Sequence, residues 1–154
     1  MKTLVLGLGN PILTDDGVGV KVAENVRAAL PADTPIEISE AGIGGLNLME
    51  RLLGYDRVIL IDALYNGHNS PGAVHRMTLD DLRNISPTRH SASAHDTTLV
   101  TALDMAKRMG LSLPKEIIIY GVEVENIIDF SDEPTAAVAE AIPVVTADVL
   151  AELM

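Results

Sequence analysis

The chain has 154 residues, the length of one compact domain, and carries 11 basic against 22 acidic residues for a net charge of −11. This acidic field argues against nucleic acid or an anionic membrane surface as a partner, because both are polyanions. The sequence contains no cysteine, which excludes disulfides, thiolate metal sites and a cysteine nucleophile, so any metal must use His, Asp or Glu.

Nothing in the sequence predicts a second domain, a membrane span or a signal peptide. No repeat, linker or low-complexity tract interrupts residues 1–154, and no apolar run approaches the roughly 18 residues of a membrane helix. The first residues lead directly into a strand-like run and a Gly-x-Gly pair. We therefore expect a single domain over residues 1–154 in the cytoplasm, with no membrane contact.

Strand-like and helix-like segments alternate along the chain. Continuous apolar runs predict buried strands, and apolar residues at a spacing of three to four predict helices. In chain order, the sequence predicts a strand at 4–8, a helix at 21–30, a strand at 36–39, a helix at 46–53, strands at 57–62 and 73–77, a helix at 97–109, a strand at 116–122 and a helix at 135–153. Pro143 predicts a kink or a division within the last helix.

Three stretches between these elements are predicted to be irregular. Residues 40–45 are rich in glycine, residues 65–72 contain Asn-Gly and Pro-Gly pairs, and residues 84–95 are polar. His68 and His75 lie in or beside the second stretch, and we expect both at the surface.

The alternation predicts a three-layer α/β/α fold around a mostly parallel sheet. The link between the strands at 57–62 and 73–77 is too short for a crossover helix, so the second of them is expected to be an antiparallel edge strand. Ligands of open α/β sheets bind beyond the carboxyl ends of the strands. Asp16, Glu40 and Asp62 follow or end three predicted strands, and should therefore converge on one rim.

The loop after the first strand has the glycine spacing of a phosphate-binding loop but the opposite charge. Ile12 stands where the dinucleotide fingerprint has its third glycine, and no Gly-Lys-Ser/Thr follows. The carboxylates of Asp15 and Asp16 would repel a phosphate at the start of the helix. We expect Asp15 mainly to cap the helix that follows, and Asp16 to face a cation or a neutral chain.

Asp62 and the histidines suggest a metal site. An ionised carboxylate in a buried strand costs several kcal/mol unless it is paired or metal-bound, although a hydrogen bond to a nearby amide is the simpler alternative. One imidazole with two carboxylates is a common open site for a divalent metal. Asp16, Asp62 and either His90 or His95 could form it, and spacing does not choose between the histidines. Two carboxylates sharing a proton, as in aspartic proteases, are another use of the pair.

Several motifs together resemble the maturation endopeptidases of nickel-iron hydrogenases. They follow one another in the order seen in that family and span most of the chain. They are Leu-Gly-Leu-Gly-Asn at 6–10, Thr-Asp-Asp-Gly-Val-Gly at 14–19, Glu-Ala-Gly-Ile-Gly-Gly at 40–45, Ile-Asp-Ala at 61–63, Ala-His-Asp at 94–96 and Ile-Tyr-Gly-Val at 119–122.

The resemblance implies a twisted five-stranded sheet between helices and a specific reaction. Family members remove a C-terminal extension from the hydrogenase large-subunit precursor once nickel has been inserted. The implied partner is that precursor, the implied metal is nickel carried by the substrate, and no organic cofactor is implied. We expect the protein itself to be a monomer.

The resemblance also implies site residues. The metal-contacting and catalytic set of the family corresponds to Asp16, Asp62 and His95. Its glycine-rich recognition loop corresponds to Glu40, Gly42, Gly44 and Gly45. Two departures bear on geometry: the first metal position is often glutamate rather than the shorter Asp16, and the loop often begins Asp-Gly-Gly rather than Glu-Ala-Gly.

Two mechanisms fit this set, and two other functions compete with it. The three residues either recognise the nickel of the precursor and orient the nearby peptide bond, or hold a metal that activates a water. A nickel- or precursor-binding chaperone that does not cut is the first alternative. A small-molecule α/β enzyme is the second, and the acidic first loop argues against a nucleotide substrate.

Overall fold

The structure is a computed structural model that describes residues 1–42, 46–65, 70–81 and 94–154, and of residues 46, 47 and 94–99 it describes the backbone only. Helices and strands alternate along most of this part of the chain. The elements are β1 (Thr3–Leu8), α1 (Val18–Ala29), β2 (Glu37–Ala41), α2 (Leu46–Leu52), β3 (Arg57–Leu64), β4 (Val74–Thr78), α3 (Ala94–Arg108), β5 (Glu116–Glu123) and α4 (Ala136–Leu153). A 3-10 turn, Thr14–Gly17, precedes α1.

The five strands form one sheet in the order β2-β1-β3-β5-β4. The first four strands in this order run parallel to one another, and β4 pairs antiparallel with β5 at the edge. The predicted antiparallel edge strand is therefore confirmed. Because the parallel strands share a direction, their carboxyl ends all lie on one rim of the sheet.

Alternate residues of the strands fill two cores, one on each face of the sheet. In β3, Ile59 and Ile61 pack with residues of α1 and α4, whereas Leu60 and Leu64 pack with residues of α2 and α3. Full burial of such side chains contributes about 1.5–3 kcal/mol each. The three-layer α/β/α fold predicted from the sequence is confirmed.

Four differences from the predicted elements affect the site or the last helix. Strand β3 does not end at Asp62 but continues to Leu64, because the last residues stay paired with β5. Helix α1 begins before residue 21 despite Gly19, because the preceding 3-10 turn leads into it. Helix α3 begins at Ala94, which places His95 in its first turn rather than in an irregular stretch. Helix α4 continues through Pro143 without division.

Several residues singled out in the sequence lie outside the described part of the chain. They are Gly44, Gly45, His68 and His90. Among the described helices, none is long and apolar enough to span a bilayer.

Candidate functional site

Asp16 lies at the carboxyl rim of the sheet, held by the turn that follows β1. Its side chain is 7% exposed, and Oδ2 accepts a hydrogen bond of 2.8 Å from the backbone N–H of Asn10. Gly9 makes this arrangement possible: its φ is +134°, and a Cβ there would lie 1.9 Å from the carbonyl oxygen of Asp16. The glycine that resembles part of a phosphate loop therefore serves to bring Asp16 close to the end of β1.

Asp62 lies on the neighbouring strand at the same rim. It is 4% exposed, and its Oδ1 accepts 2.8 Å from the N–H of Ala63. The start of α1 packs directly against this point, since a Cβ on Gly19 would lie 2.2 Å from the carbonyl oxygen of Ile61. One turn of chain separates Asp16 from Gly19, so the fold brings the loop carboxylate and the strand carboxylate to one region.

The third predicted ligand, His95, lies on the helix that covers this region. Side chains alternate along a strand, so Asp62 is directed to the same face as Leu60 and Leu64. That face packs against α3 through Leu103, and His95 lies in the first turn of α3. The imidazole itself lies outside the described side chains.

The metal set as a whole stays a prediction. Among the side chains that the structure describes, no three His, Asp or Glu groups are close enough to hold a metal ion. His95 is not among those side chains, so only two members of the predicted set, Asp16 and Asp62, have described side chains. Both are carboxylates, the oxygen ligands that hard and borderline divalent cations accept.

A cleft of about 230 Å³ lies between the ends of β1 and β2, and Asn10, one of the residues lining it, donates its backbone N–H to Asp16. The cleft contains the two described residues of the predicted recognition loop, Glu40 and Gly42. The lining residues are Gly9, Asn10, Pro11, Val20, Glu40, Ala41 and Gly42.

The carboxylate of Glu40 is held on the α1 side of this cleft. Arg27 Nη1 lies 2.6 Å from Glu40 Oε1, and this pairing with Glu40 is the main reason why the pKa of Arg27 is raised. Arg51 donates to the backbone carbonyl of Glu40 at 3.2 Å. Two arginines therefore hold the end of β2 beside this cleft.

Asp15 does not cap α1, which corrects the expectation from the sequence. Its carboxylate is fully buried and accepts from the backbone N–H groups of Glu125 and Asn126, each at 3.1 Å. It also accepts from the N–H and the hydroxyl of Thr135 at 2.7 and 2.9 Å. Thr135 precedes α4, so the negative charge lies at the start of that helix, where it is favourable. Asp15 fixes the loop that carries Asp16 to residues 124–135.

A second pair of titratable groups lies near the rim and was not predicted. His75 Nε2 lies 2.7 Å from Oε2 of Glu123. The side chain of His75 is 43% exposed, as expected for a surface residue, whereas that of Glu123 is 5% exposed. Gly121 pairs in register with both Asp62 and His75, so the three residues lie in one row across the sheet. The sequence did hold a signal for this pair, because Glu123 follows a strongly apolar strand. A carboxylate at the end of a predicted strand is the same feature that drew attention to Asp62.

Comparison of the sequence with protein families and with characterised proteins gives a consistent result. The model of the family described as hydrogenase maturation protease matches residues 18–152. The hydrogenase 2 maturation protease of Escherichia coli is 30% identical over 127 residues, which cover 82% of this chain and 76% of that protein. The hydrogenase expression/formation protein HupD of Rhizobium leguminosarum is 29% identical over 142 residues, covering 92% and 69%.

Solved structures agree with the sequence comparison. The hydrogenase maturating endopeptidase HybD of E. coli superposes with a TM-score of 0.84 at 28% identity, over 99% of this chain and 92% of that chain. The NiFe hydrogenase maturation protease HybD of Thermococcus kodakarensis gives a TM-score of 0.74 at 23% identity, over 99% of each chain. The second likeness, at its lower identity, supports the fold alone.

Proposed function

The chain belongs to the hydrogenase maturation protease family, and we propose that it removes the C-terminal extension of a nickel-loaded hydrogenase large-subunit precursor. It is a peptidase, as the family and its relatives are. The observation that carries the proposal is the pair of nearly buried carboxylates, Asp16 and Asp62, at one rim of the sheet.

The charge of this rim favours a cation. Asp16 is 7% exposed and Asp62 is 4% exposed, and removing two carboxylates from water is costly unless positive charge offsets the loss of hydration. Backbone amides contribute through the hydrogen bonds to Asn10 and Ala63. A divalent metal ion arriving with the substrate would add positive charge at this rim.

Nickel belongs to the substrate in this proposal. Asp16, Asp62 and His95 contact the metal centre of the precursor, which distinguishes a loaded precursor from an empty one. Contact with a buried metal centre would also place the adjacent peptide chain across the rim. Positioning of this kind accelerates a reaction by lowering its entropic cost.

The carboxylates offer two ways to activate the attacking water. One carboxylate can act as a general base toward a water while the other stays protonated, which is the aspartic-protease arrangement. Alternatively, a metal held by the three residues would lower the pKa of a bound water.

The cleft between the ends of β1 and β2 is proposed to hold the substrate chain. Glu40 and Gly42 line it, and Gly44 and Gly45 complete the predicted recognition loop. Glycines allow the backbone of a bound peptide to approach closely. The pairing of Glu40 with Arg27 suggests that Glu40 shapes this loop rather than contacting the substrate through its charge.

The proposal is tested by incubating the protein with nickel-loaded and with nickel-free precursor and measuring the mass of the precursor. We expect a C-terminal peptide to be lost from the loaded form only. Tight binding without any change of mass would instead indicate a chaperone. Cleavage of both forms would contradict recognition of nickel.

The same assay tests the proposed residues. Asp16→Ala, Asp62→Ala and His95→Ala should each lower kcat/KM by about a hundredfold or more, the usual loss when a group stabilising the transition state is removed. Asp80→Ala, at an exposed position near the opposite end of the sheet, is the matched control and should be unchanged. Normal cleavage by all three folded variants would show that the ligand set is wrong.

The proposed substrate also bears on location and assembly. A large-subunit precursor is a newly made polypeptide, so we propose that the enzyme acts in the cytoplasm. We propose a monomer, since the carboxylates and the cleft are all supplied by one chain. Sedimentation of the purified protein checks this point.

A further inference from the structure

A group of apolar side chains is exposed beside the candidate site. Phe130, the only phenylalanine of the chain, is 82% exposed, and Ile128 is 81% exposed. Ile12 and Tyr65 are 53% and 44% exposed. We call these four residues the docking face. Exposed apolar side chains that are grouped together indicate an interaction site.

The loop that carries two residues of the docking face, Ile128 and Phe130, is held in a fixed conformation. Asn126 Oδ1 accepts from the N–H groups of Ile128 and Asp129, each at 3.1 Å, and its amide donates to the carboxylate of Asp129 at 2.9 Å. Thr14 donates its hydroxyl hydrogen to the carbonyl of Asp129 at 2.5 Å. Because the loop is already ordered, it loses little conformational entropy when a partner binds Ile128 and Phe130, and this favours binding.

The docking face is continuous with the candidate site. Ser131 donates its N–H to the carbonyl of Ile12 at 2.9 Å, so the two segments lie side by side. Ile12 precedes the 3-10 turn that holds Asp16. Tyr65 follows directly on β3, the strand of Asp62, and shares a cleft of about 400 Å³ with Ile128. A polypeptide lying across the rim would reach both regions.

In the described segment that carries Ile128 and Phe130, residues 124–135, every charged side chain is acidic. The side chains of Glu125, Asp129, Asp132 and Glu133 are exposed, and residues 124–135 contain no lysine or arginine. Complementary charge on the partner raises the association rate and selects the partner. A segment that combines apolar with basic side chains fits this surface, whereas an acidic segment does not.

We propose that the docking face binds a segment of the precursor polypeptide that carries apolar and basic side chains, outside the residues that contact the metal centre. This inference rests on the proposed function and names a binding surface for its substrate. The segment contributes affinity for the precursor and takes no part in bond cleavage. Removing the docking face should therefore raise KM and leave kcat nearly unchanged.

A second copy of the chain fits the surface less well than the precursor does. A symmetric dimer through the docking face would place the same acidic residues of both copies against one another. Like charges brought together at an interface cost free energy. The surrounding acidic charge thus favours binding of a basic partner over formation of a dimer.

The test compares initial rates over a range of nickel-loaded precursor concentrations. The double variant Ile128→Ser/Phe130→Ser should raise KM by about tenfold or more, as loss of two apolar anchors does, with kcat within about twofold. Met109→Ser is the matched control, because Met109 is 61% exposed and lies beyond the end of α3. It should leave both constants within about twofold.

A second variant tests the charge. Asp132→Asn/Glu133→Gln should raise KM by about threefold and weaken its dependence on salt, because two attractive charges are lost. Thermal unfolding checks that the variants fold like the wild type.

The outcomes separate this inference from the proposed function. If the wild type cleaves the precursor and the Ile128/Phe130 variant has an unchanged KM, or loses kcat instead, the inference is overturned. If the wild type does not cleave, the proposed function fails. The docking face is then tested by measuring binding to immobilised precursor. Equal affinity of the wild type and the double variant would overturn the docking face as well. A concentration-dependent dimer that the double variant abolishes would also overturn it.

Discussion

Two adjacent aspartates at the first loop have different roles because their surroundings differ. The carboxylate of Asp15 is saturated by backbone and hydroxyl donors from residues 125, 126 and 135. Asp16 receives one backbone hydrogen bond from Asn10 and lies at the rim of the sheet. The first is thus committed to structure, and the second keeps acceptor capacity for a substrate or a cation.

Asp15→Asn should lower the free energy of unfolding by about 2–4 kcal/mol, since the amide would set N–H groups against the donors that now bond to the carboxylate. Urea denaturation measures this change. Asp132→Asn, an exposed site, is the control and should change stability by less than about 0.5 kcal/mol. Equal, small effects for both variants would show that the Asp15 hydrogen bonds contribute little.

At the scale of elements, helix α4 is anchored at both ends and weakened in its middle. Asp15 binds Thr135 at its start, and Arg57 donates to the carbonyl and the carboxylate of Glu152 at its end, at 2.9 and 2.8 Å. Pro143 lies inside the helix and has no N–H, so one carbonyl loses its helical partner. The helix stays continuous because Ile142 and Val145 beside the proline are buried in the core.

Pro143→Ala should therefore raise the free energy of unfolding by about 1–3 kcal/mol, because it restores the missing hydrogen bond at an exposed position. Calorimetry or urea denaturation measures the gain. Glu140→Ala, also exposed and in the same helix, serves as the control. A loss of stability in Pro143→Ala would mean that the restricted backbone of proline outweighs the hydrogen bond.

The elements were predictable from the sequence because their signal is local. Apolar runs and helical spacing are read over a few residues, and the strands of the sheet and the helices that cover it follow from them. The role of Asp15 was not predictable in this way, since its partner Thr135 is 120 residues away in the chain. Asp16 and Asp62 were placed on one rim by the topology rule for parallel strands, whereas the Glu123–His75 pair depends on the register of β4.

On the scale of the whole molecule, the candidate site and a network of ionic side chains lie at different parts of the sheet. Glu152, whose side chain is 16% exposed, binds Arg57 at 2.8 Å and the hydroxyl of Tyr120 at 2.9 Å, and it also pairs with Arg76. The hydrogen bond from Arg76 is the main cause of a pKa of Glu152 below its ordinary value of 4.5. The network joins the end of α4 to β3, β4 and β5.

The sign of this shift gives a prediction about pH. A carboxylate whose pKa is lowered by folding stabilises the fold above its unfolded pKa and loses that effect as the pH falls through the folded value. Glu152→Gln should lower the free energy of unfolding by about 1–2 kcal/mol at neutral pH, a figure that allows for solvent screening. The difference from the wild type should shrink below pH 4.5, the ordinary value of the group.

Urea denaturation over a pH series measures this difference, with Glu140→Gln as the exposed control. A difference that stays constant down to the lowest pH would contradict the role of the Glu152 charge. The cleavage rate at neutral pH should not change, because Glu152 contacts neither the rim nor the docking face.

The strand order has a consequence for folding of the chain during its synthesis on the ribosome. Strand β4 pairs with β5 and not with the strand made just before it, so it stays without a partner until residues 116–123 have been made. The loop with Asp16 is fixed only after Thr135 emerges. A nascent chain therefore completes its site only after Thr135 has been made, and products truncated before that residue should lack the ordered site.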